Sequence, residues 1–547
     1  MEKVRIIAAL LSLSTMMSLL ACGTDPSDGA DTTAAVTTED SGNGSSVKYE
    51  SVKMTVSDAF SADITISGTP NASVEGKVGI LNGESGEWSY SEYSEFIGKD
   101  GSVSFSVELP EGTVEIEVMI ERAAVSDGTE MIDVEAAITE VVPVTEKPLI
   151  KAPVESITST LPTVGDVKVL AFYVEFPDKT FRKGALSAEK LQEELFGEGK
   201  AKFPYDSVSA WFERSSYGNL HMTGDVYYYT CKHEMAHYEN GNYEELVMEV
   251  MRGLDDEIDY SEYDSDGDHY IDNISFTVPL DGADQARLDY WYGKTLTWYE
   301  NPSFRLDRVM LRQYVCMDVM PYTSDMVYLK QTLIHEMGHC MGLPDYYKYG
   351  SSDWEGLHGD AGIERMDDSL GDFCAFSKLM LGWFRENEVQ VYEGEGEQTF
   401  KLRSSSNEAS CVILPISDSL NGYKSEYFII EFVTADNNNA DLKTNAASRN
   451  RSGIRVFHVQ AETAQMDWGS KEFKYNNYSQ YYKGDDKIRV LKLVNDGGNM
   501  LRKGDTVEFG DLNFGGYDKR GNTTIDTGYR IEIGELTDGT YTVTVTR

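Results

Sequence analysis

Between residues 103 and 120 apolar side chains occupy every second position. Val103, Phe105, Val107 and Leu109 come first, then a turn at Pro110-Glu111-Gly112, then Val114, Ile116, Val118 and Ile120. A period of two puts these residues on one face of a half-buried ribbon, and the turn between the runs predicts an antiparallel hairpin. Similar runs at 52–68 and 131–142 extend the reading to a β-sandwich over residues 48–145. Prolines at 143, 148, 153 and 162, with Thr and Ser between them, mark 146–165 as a linker. Helical and strand patterns mix from 166 to 392, where Met326, Leu329, Leu333, Met337 and Cys340 form one stripe at helical spacing. Alternation returns beyond 393, at Phe428–Phe432, Ile454–Val459, Tyr529-Ile531-Ile533 and Tyr541-Val543-Val545. The fold class predicted is multidomain, an α+β domain at 166–392 flanked by sandwich-like all-β domains at 48–145 and 393–547.

Composition narrows the function. A chain of 547 residues has room for about two to four domains. Its net charge of −44, from 48 Lys+Arg against 92 Asp+Glu, excludes a phosphate-binding surface and so a nucleic-acid partner. Residues 1–21 carry Lys3 and Arg5 before the apolar stretch from Ile6 to Leu20, the pattern of an export signal. That signal ends Leu19-Leu20-Ala21-Cys22 with Gly23 following, which resembles the lipobox of bacterial lipoproteins and implies lipidation of Cys22. Residues 22–47 have few large apolar side chains and read as a disordered tether. The remaining five cysteines, Cys231, Cys316, Cys340, Cys374 and Cys411, show no disulfide framework.

The candidate chemistry lies on the apolar stripe's helix. In Ile334-His335-Glu336-Met337-Gly338-His339 the two histidines stand four apart, on one helix face, at a spacing that can grip one Zn²⁺. Ser324 or Asp325 can cap the start of this helix. Gly342 suits its end and lets the chain turn so that Asp345 supplies a third ligand. Two His and one carboxylate leave a position for water, and Glu336 is placed as its general base. A second match, His233-Glu234-Met235-Ala236-His237, follows the strand-forming run Val226–Thr230 and has Tyr243 where a third ligand would fall. It reads as a surface loop or helix start. Asp264, Asp266, Asp268 and Asp272 occupy positions 1, 3, 5 and 9 of an EF-hand-like loop, with the Tyr270 carbonyl at 7. His269 at position 6 and Ser275 at position 12 depart from that pattern, which otherwise predicts a structural Ca²⁺.

With Asp345 in the third place the extended motif resembles that of the metzincins. Together with Val169–Asp178, Ser215–Leu220, Met366-Asp367-Asp368, Gly371–Lys378 and Leu381-Gly382-Trp383, it resembles the immune inhibitor A-type secreted metallopeptidases of bacteria. The resemblance implies a Met-turn residue at Met366, and leaves Glu364, Asp367 and Asp368 as alternative third ligands. The function it implies is a monomeric zinc-dependent endopeptidase acting on proteins or peptides. The lipid on Cys22 would hold it to the outer face of a bacterial membrane. The alternative is a non-enzymatic surface lipoprotein that binds protein or glycan through its β domains and keeps a vestigial metal site.

Overall fold

The computed structural model describes residues 33–34, 49–58, 61–82, 86–108, 113–126, 131–134, 138–143, 149–150, 159–181, 186–198, 203–238, 243–280, 293–298, 304–319, 326–347, 364–368, 371–417, 419–443, 452–465, 471–477, 488–494, 500–508, 516–517 and 523–547. The predicted signal at 1–21, Cys22 and the tether apart from Thr33–Ala34 lie outside them, as do Ser324 and Asp325. Two compact units form, Met1–Thr145 and Glu146–Arg547.

The first unit contains two sheets. Tyr49–Asp58, Ser61–Gly68 and Ser102–Glu108 make one, with Thr33–Ala34 at its edge. Trp88–Phe96, Ala72–Asn82, Thr113–Ser126 and Met131–Val134 make the other, and Ile138–Pro143 also pairs with Thr113–Ser126. Ile64 and Ile66 from the first meet Val74, Val78, Ile116, Val118 and Ile120 from the second. This corrects the predicted hairpin. Both alternating runs are strands, but Ser102–Glu108 pairs with Ser61–Gly68 and Thr113–Ser126 with Ala72–Asn82. The runs face each other across the core, because alternation fixes which side is apolar and not which strand lies alongside.

In the second unit Leu220–Thr230, Gly165–Glu175, Ile274–Pro279 and Gln313–Val319 run parallel, with Lys294–Thr297 antiparallel at the margin. Along Gly165–Glu175 the side chains divide by parity. Val167, Val169, Ala171 and Tyr173 enter one core, and Leu170, Phe172 and Val174 enter another. The first core also takes Leu191 and Leu195 from the helix Ala188–Phe196, Trp211 and Phe212 from Val208–Ser215, and Leu329, Leu333 and Met337 from Val327–Cys340. The second takes Leu246, Val247 and Val250 from Tyr243–Gly253. Helices therefore cover both faces of a mostly parallel sheet, an α/β layering where α+β was predicted. Parallel strands need crossover connections, and those place helices on the faces.

The C-terminal strands follow the predicted alternation. Cys411–Pro415, Glu426–Val433, Gly453–Gln460, Leu491–Leu493 and Val389–Val391 form one sheet, and Glu397–Leu402, Thr540–Thr546, Arg530–Thr537 and Thr506–Val507 a second. Val412, Leu414, Phe428, Ile430 and Val456 pack against Phe400, Ile531, Val543 and Val545. Their neighbours Cys411, Ile413, Tyr427, Ile429, Phe457 and Val459 join the helix-bearing core instead. The first sheet is thus a wall shared by two cores, and the predicted boundary at 392/393 runs through continuous packing.

Candidate metal centre

The helix Val327–Cys340 has Met326 at its N-cap, with no side-chain cap bond from that residue; the predicted caps Ser324 and Asp325 lie outside the described residues. Its predicted stripe, Met326, Leu329, Leu333, Met337 and Cys340, is buried in the core. At its end the Gly342 N–H donates to the His339 carbonyl (2.9 Å) and the Leu343 N–H to the Gly338 carbonyl (3.0 Å). This is a Schellman stop, and it requires the left-handed backbone that Gly342 adopts at φ +99°. The reversal brings Asp345 back over the helix. Its Oδ1 lies 3.1 Å from His335 Nε2 and 3.3 Å from His339 Nε2. One atom from each of the three residues falls within 4.8 Å of the others.

The orientation of each imidazole is set from behind. His335 Nδ1 faces the Arg365 carbonyl at 2.9 Å, and His339 Nδ1 faces the Leu343 carbonyl at 2.8 Å. A carbonyl can only accept, so each Nδ1 carries a hydrogen and Nε2 is the nitrogen that each ring turns toward the cluster. Burial opposes the charge on Asp345, but His339 and His335 outweigh it and hold that carboxyl well below the usual range. Burial likewise opposes an imidazolium at His339, yet Asp345, Glu336 and the Leu343 carbonyl hold its pKa up at about 9. A field that favours a proton there favours a cation, and two imidazole nitrogens with one carboxylate oxygen are a donor set that suits Zn²⁺. The alternative Glu364 is excluded by its own bonds, to Ser377 Oγ (2.7 Å) and to the backbone N–H groups of Cys374 and Met366. Asp367 does not join the cluster, and the Asp368 side chain lies outside the described residues.

Glu336 is buried beside this cluster. Thr295 Oγ1, on the marginal strand Lys294–Thr297, lies 3.0 Å from Glu336 Oε2 and 3.0 Å from the Glu336 carbonyl, so its one hydrogen is shared between them. Nothing in the sequence marks this threonine, because only sheet order brings it to the helix. Met366 is fully buried against the helix, and a Cβ built on Gly338 would lie 2.6 Å from its Sδ. A glycine inside a helical pattern was the available signal for that contact. The two tyrosines after Asp345 separate. Tyr346 is in the core with its hydroxyl 3.2 Å from Ser377 Oγ, whereas the Tyr347 ring lies 6.3 Å from that of His335. Burial, then the charges of Asp345 and Glu336, push the Tyr347 phenol far up, so it keeps its proton.

The other His-Glu-x-x-His match lies on the 3₁₀ turn Met235–Tyr238, just after the strand Leu220–Thr230. His233 and His237 stack at 4.1 Å and are exposed, and His237 Nε2 is 3.1 Å from the Glu245 carboxylate. It joins no three-ligand cluster among the described residues. In the acidic loop, Asp264, Asp266 and Asp268 each place an oxygen within 4.8 Å of the others. His269 adopts the left-handed φ of +70° that the pattern asks of position 6. Asp272 is buried outside that trio, its Oδ2 accepting the Ser265 N–H at 3.0 Å and its Oδ1 without a hydrogen-bond partner among the described residues. Burial, aided by Asp266 and Asp264, pushes its pKa up to about 7. The Tyr270 N–H donates to Asp268 Oδ1 at 2.8 Å. All five cysteines from Cys231 to Cys411 are buried free thiols.

Among the described residues no helix is long and apolar enough to cross a membrane. No family model and no curated protein matches the chain. Among solved structures, a "putative beta-galactosidase" from Bacteroides fragilis aligns at 13% identity and a TM-score of 0.12. The alignment covers 43% of this chain and 39% of that one, a likeness too slight to carry either fold or activity across.

Proposed function

We propose that this chain is a zinc-dependent endopeptidase held at a bacterial cell surface by a lipid on Cys22. The observation that carries the reading is the convergence of His335 Nε2, His339 Nε2 and Asp345 Oδ1 beside the buried Glu336. Zinc held by those three residues would supply Lewis-acid polarisation of the scissile carbonyl and a lowered pKa for water. Glu336 takes the proton from the attacking water and passes it to the leaving amine. The Thr295 hydroxyl, within 3.0 Å of Oε2 and of the Glu336 carbonyl, keeps that residue in place. Tyr347, protonated, bonded to Asp345 and next to His335, is the candidate donor to the developing oxyanion. Lys294–Thr297 has no strand on its outer side among the described residues, so an extended peptide can align there by backbone hydrogen bonds. Substrates are therefore proteins or peptides outside the cell, and the acidic loop holds a structural Ca²⁺.

Glu336→Ala should keep about one zinc per chain and lose at least about 10²-fold in turnover, the lower range for a general acid–base group. Casein zymography with metal analysis reads both quantities. A fully active Glu336→Ala protein would overturn the proposal.

A further inference from the structure

We infer that Arg365, Tyr205 and Asp441 form a positioning relay that ties His335 to the C-terminal sandwich and thereby sets the geometry of the metal site. This rests on the peptidase reading above. Two adjacent carbonyls hold His335 directly and Asp345 through its neighbour. The Arg365 carbonyl accepts from His335 Nδ1, and the Met366 carbonyl accepts the N–H of Tyr346, the residue after Asp345. Whatever fixes residues 365 and 366 therefore fixes the site.

The anchor is the Arg365 side chain, which is fully buried. Its guanidinium lies 5.2 Å from the Trp211 ring centroid and 5.4 Å from that of Tyr205, and it donates to the Gly371 carbonyl and to Tyr205 Oη (2.9 Å). A buried cation needs compensation. One route to it runs through the phenol: Tyr205 Oη donates onward to Asp441 Oδ2 at 2.9 Å, so the hydroxyl accepts from the cation and donates to the anion. Asp441 belongs to the turn Asn437–Lys443, which comes after the sandwich strand Glu426–Val433. In the same turn Asn438 Nδ2 donates to the Trp211 carbonyl (2.9 Å), and Asn439 Oδ1 accepts the Asp372 N–H (3.0 Å). One short turn of the β domain thus grips both the helix Val208–Ser215 and the segment that carries the Arg365 carbonyl.

Arg365 and Tyr205 are buried, so weakening the relay should change metal retention and kcat and leave KM in place. The test uses the full chain with Tyr205→Phe and Asp441→Asn, each close in shape to the residue replaced, and Glu408→Gln as a charge change elsewhere in the sandwich. Folding is checked by circular dichroism. The Co²⁺-substituted visible spectrum and the rate of zinc release to a chromophoric chelator are then measured. Both relay variants should shift the Co²⁺ bands and release zinc about 10-fold faster, the low end for outer-shell ligand supports. Glu408→Gln should match the wild type. Wild-type spectra and release rates in both folded relay variants would overturn the relay, as would loss of folding in both, which would make the role purely structural. Failure of the wild-type chain to bind one Co²⁺, or unchanged binding in His335→Ala, would instead overturn the peptidase reading.

Discussion

Two glycines decide the site at the scale of single residues. Gly342 supplies a left-handed turn that returns Asp345 to the histidines, and Gly338 leaves the space that Met366 fills. Replacing Gly338 by Ala gains about 1 kcal/mol of helix propensity, but forcing a methyl against Met366 costs about 1–3 kcal/mol. Gly338→Ala should therefore melt at a lower temperature than wild type. The loss should shrink in a Met366→Ala background, where the colliding sulfur is gone. Equal losses in both backgrounds would show that the contact is not what the glycine serves. The histidines, Glu336, Gly342 and Asp345 were legible as a spacing, since i,i+4 periodicity and a helix stop are local properties. That Tyr346 enters the core while Tyr347 lies near His335 was not legible, because neighbours in sequence part company only when one is buried.

Among the elements, the strands that alternate cleanly were read correctly as strands and incorrectly as neighbours. Ser102–Glu108 and Thr113–Ser126 lie in different sheets because their shared apolar side faces a common core. The acidic loop is an element whose ligand rhythm was visible and whose geometry was only partly met, with Asp272 standing outside the trio. Its buried carboxylate, pushed up to about 7, is a cost that a cation would offset. Added Ca²⁺ should raise the melting temperature in proportion to the logarithm of its concentration above Kd. Asp266→Ala should respond much less. Identical wild-type melts in Ca²⁺ and in EGTA would remove calcium from the account.

At the scale of the molecule, the sheet containing Glu426–Val433 and Gly453–Gln460 serves two cores, so residues 166–392 should not fold without the C-terminal strands. A chain cut after 392 leaves the partners of Tyr427, Ile429, Phe457 and Val459 exposed, and it should aggregate or melt without cooperativity. The second unit kept whole should give one calorimetric transition. A cooperative melt of 166–392 alone would refute the shared wall. Location is tested separately. Two acyl chains give stable membrane attachment where one does not, so wild-type protein should fractionate with membranes and Cys22→Ser should appear soluble and active. Membrane retention of Cys22→Ser as firm as wild type would exclude the lipid anchor. The sequence by itself determined what is local or compositional: a strongly acidic chain, the strand and helix periods, the i,i+4 spacing of His335 and His339, and the glycine that ends their helix. Tertiary structure alone decided which strands pair, that Thr295 reaches Glu336, and that Arg365 ties His335 to a turn far along the chain. Those contacts join positions distant in the chain, and no periodicity encodes a partner that only packing brings near.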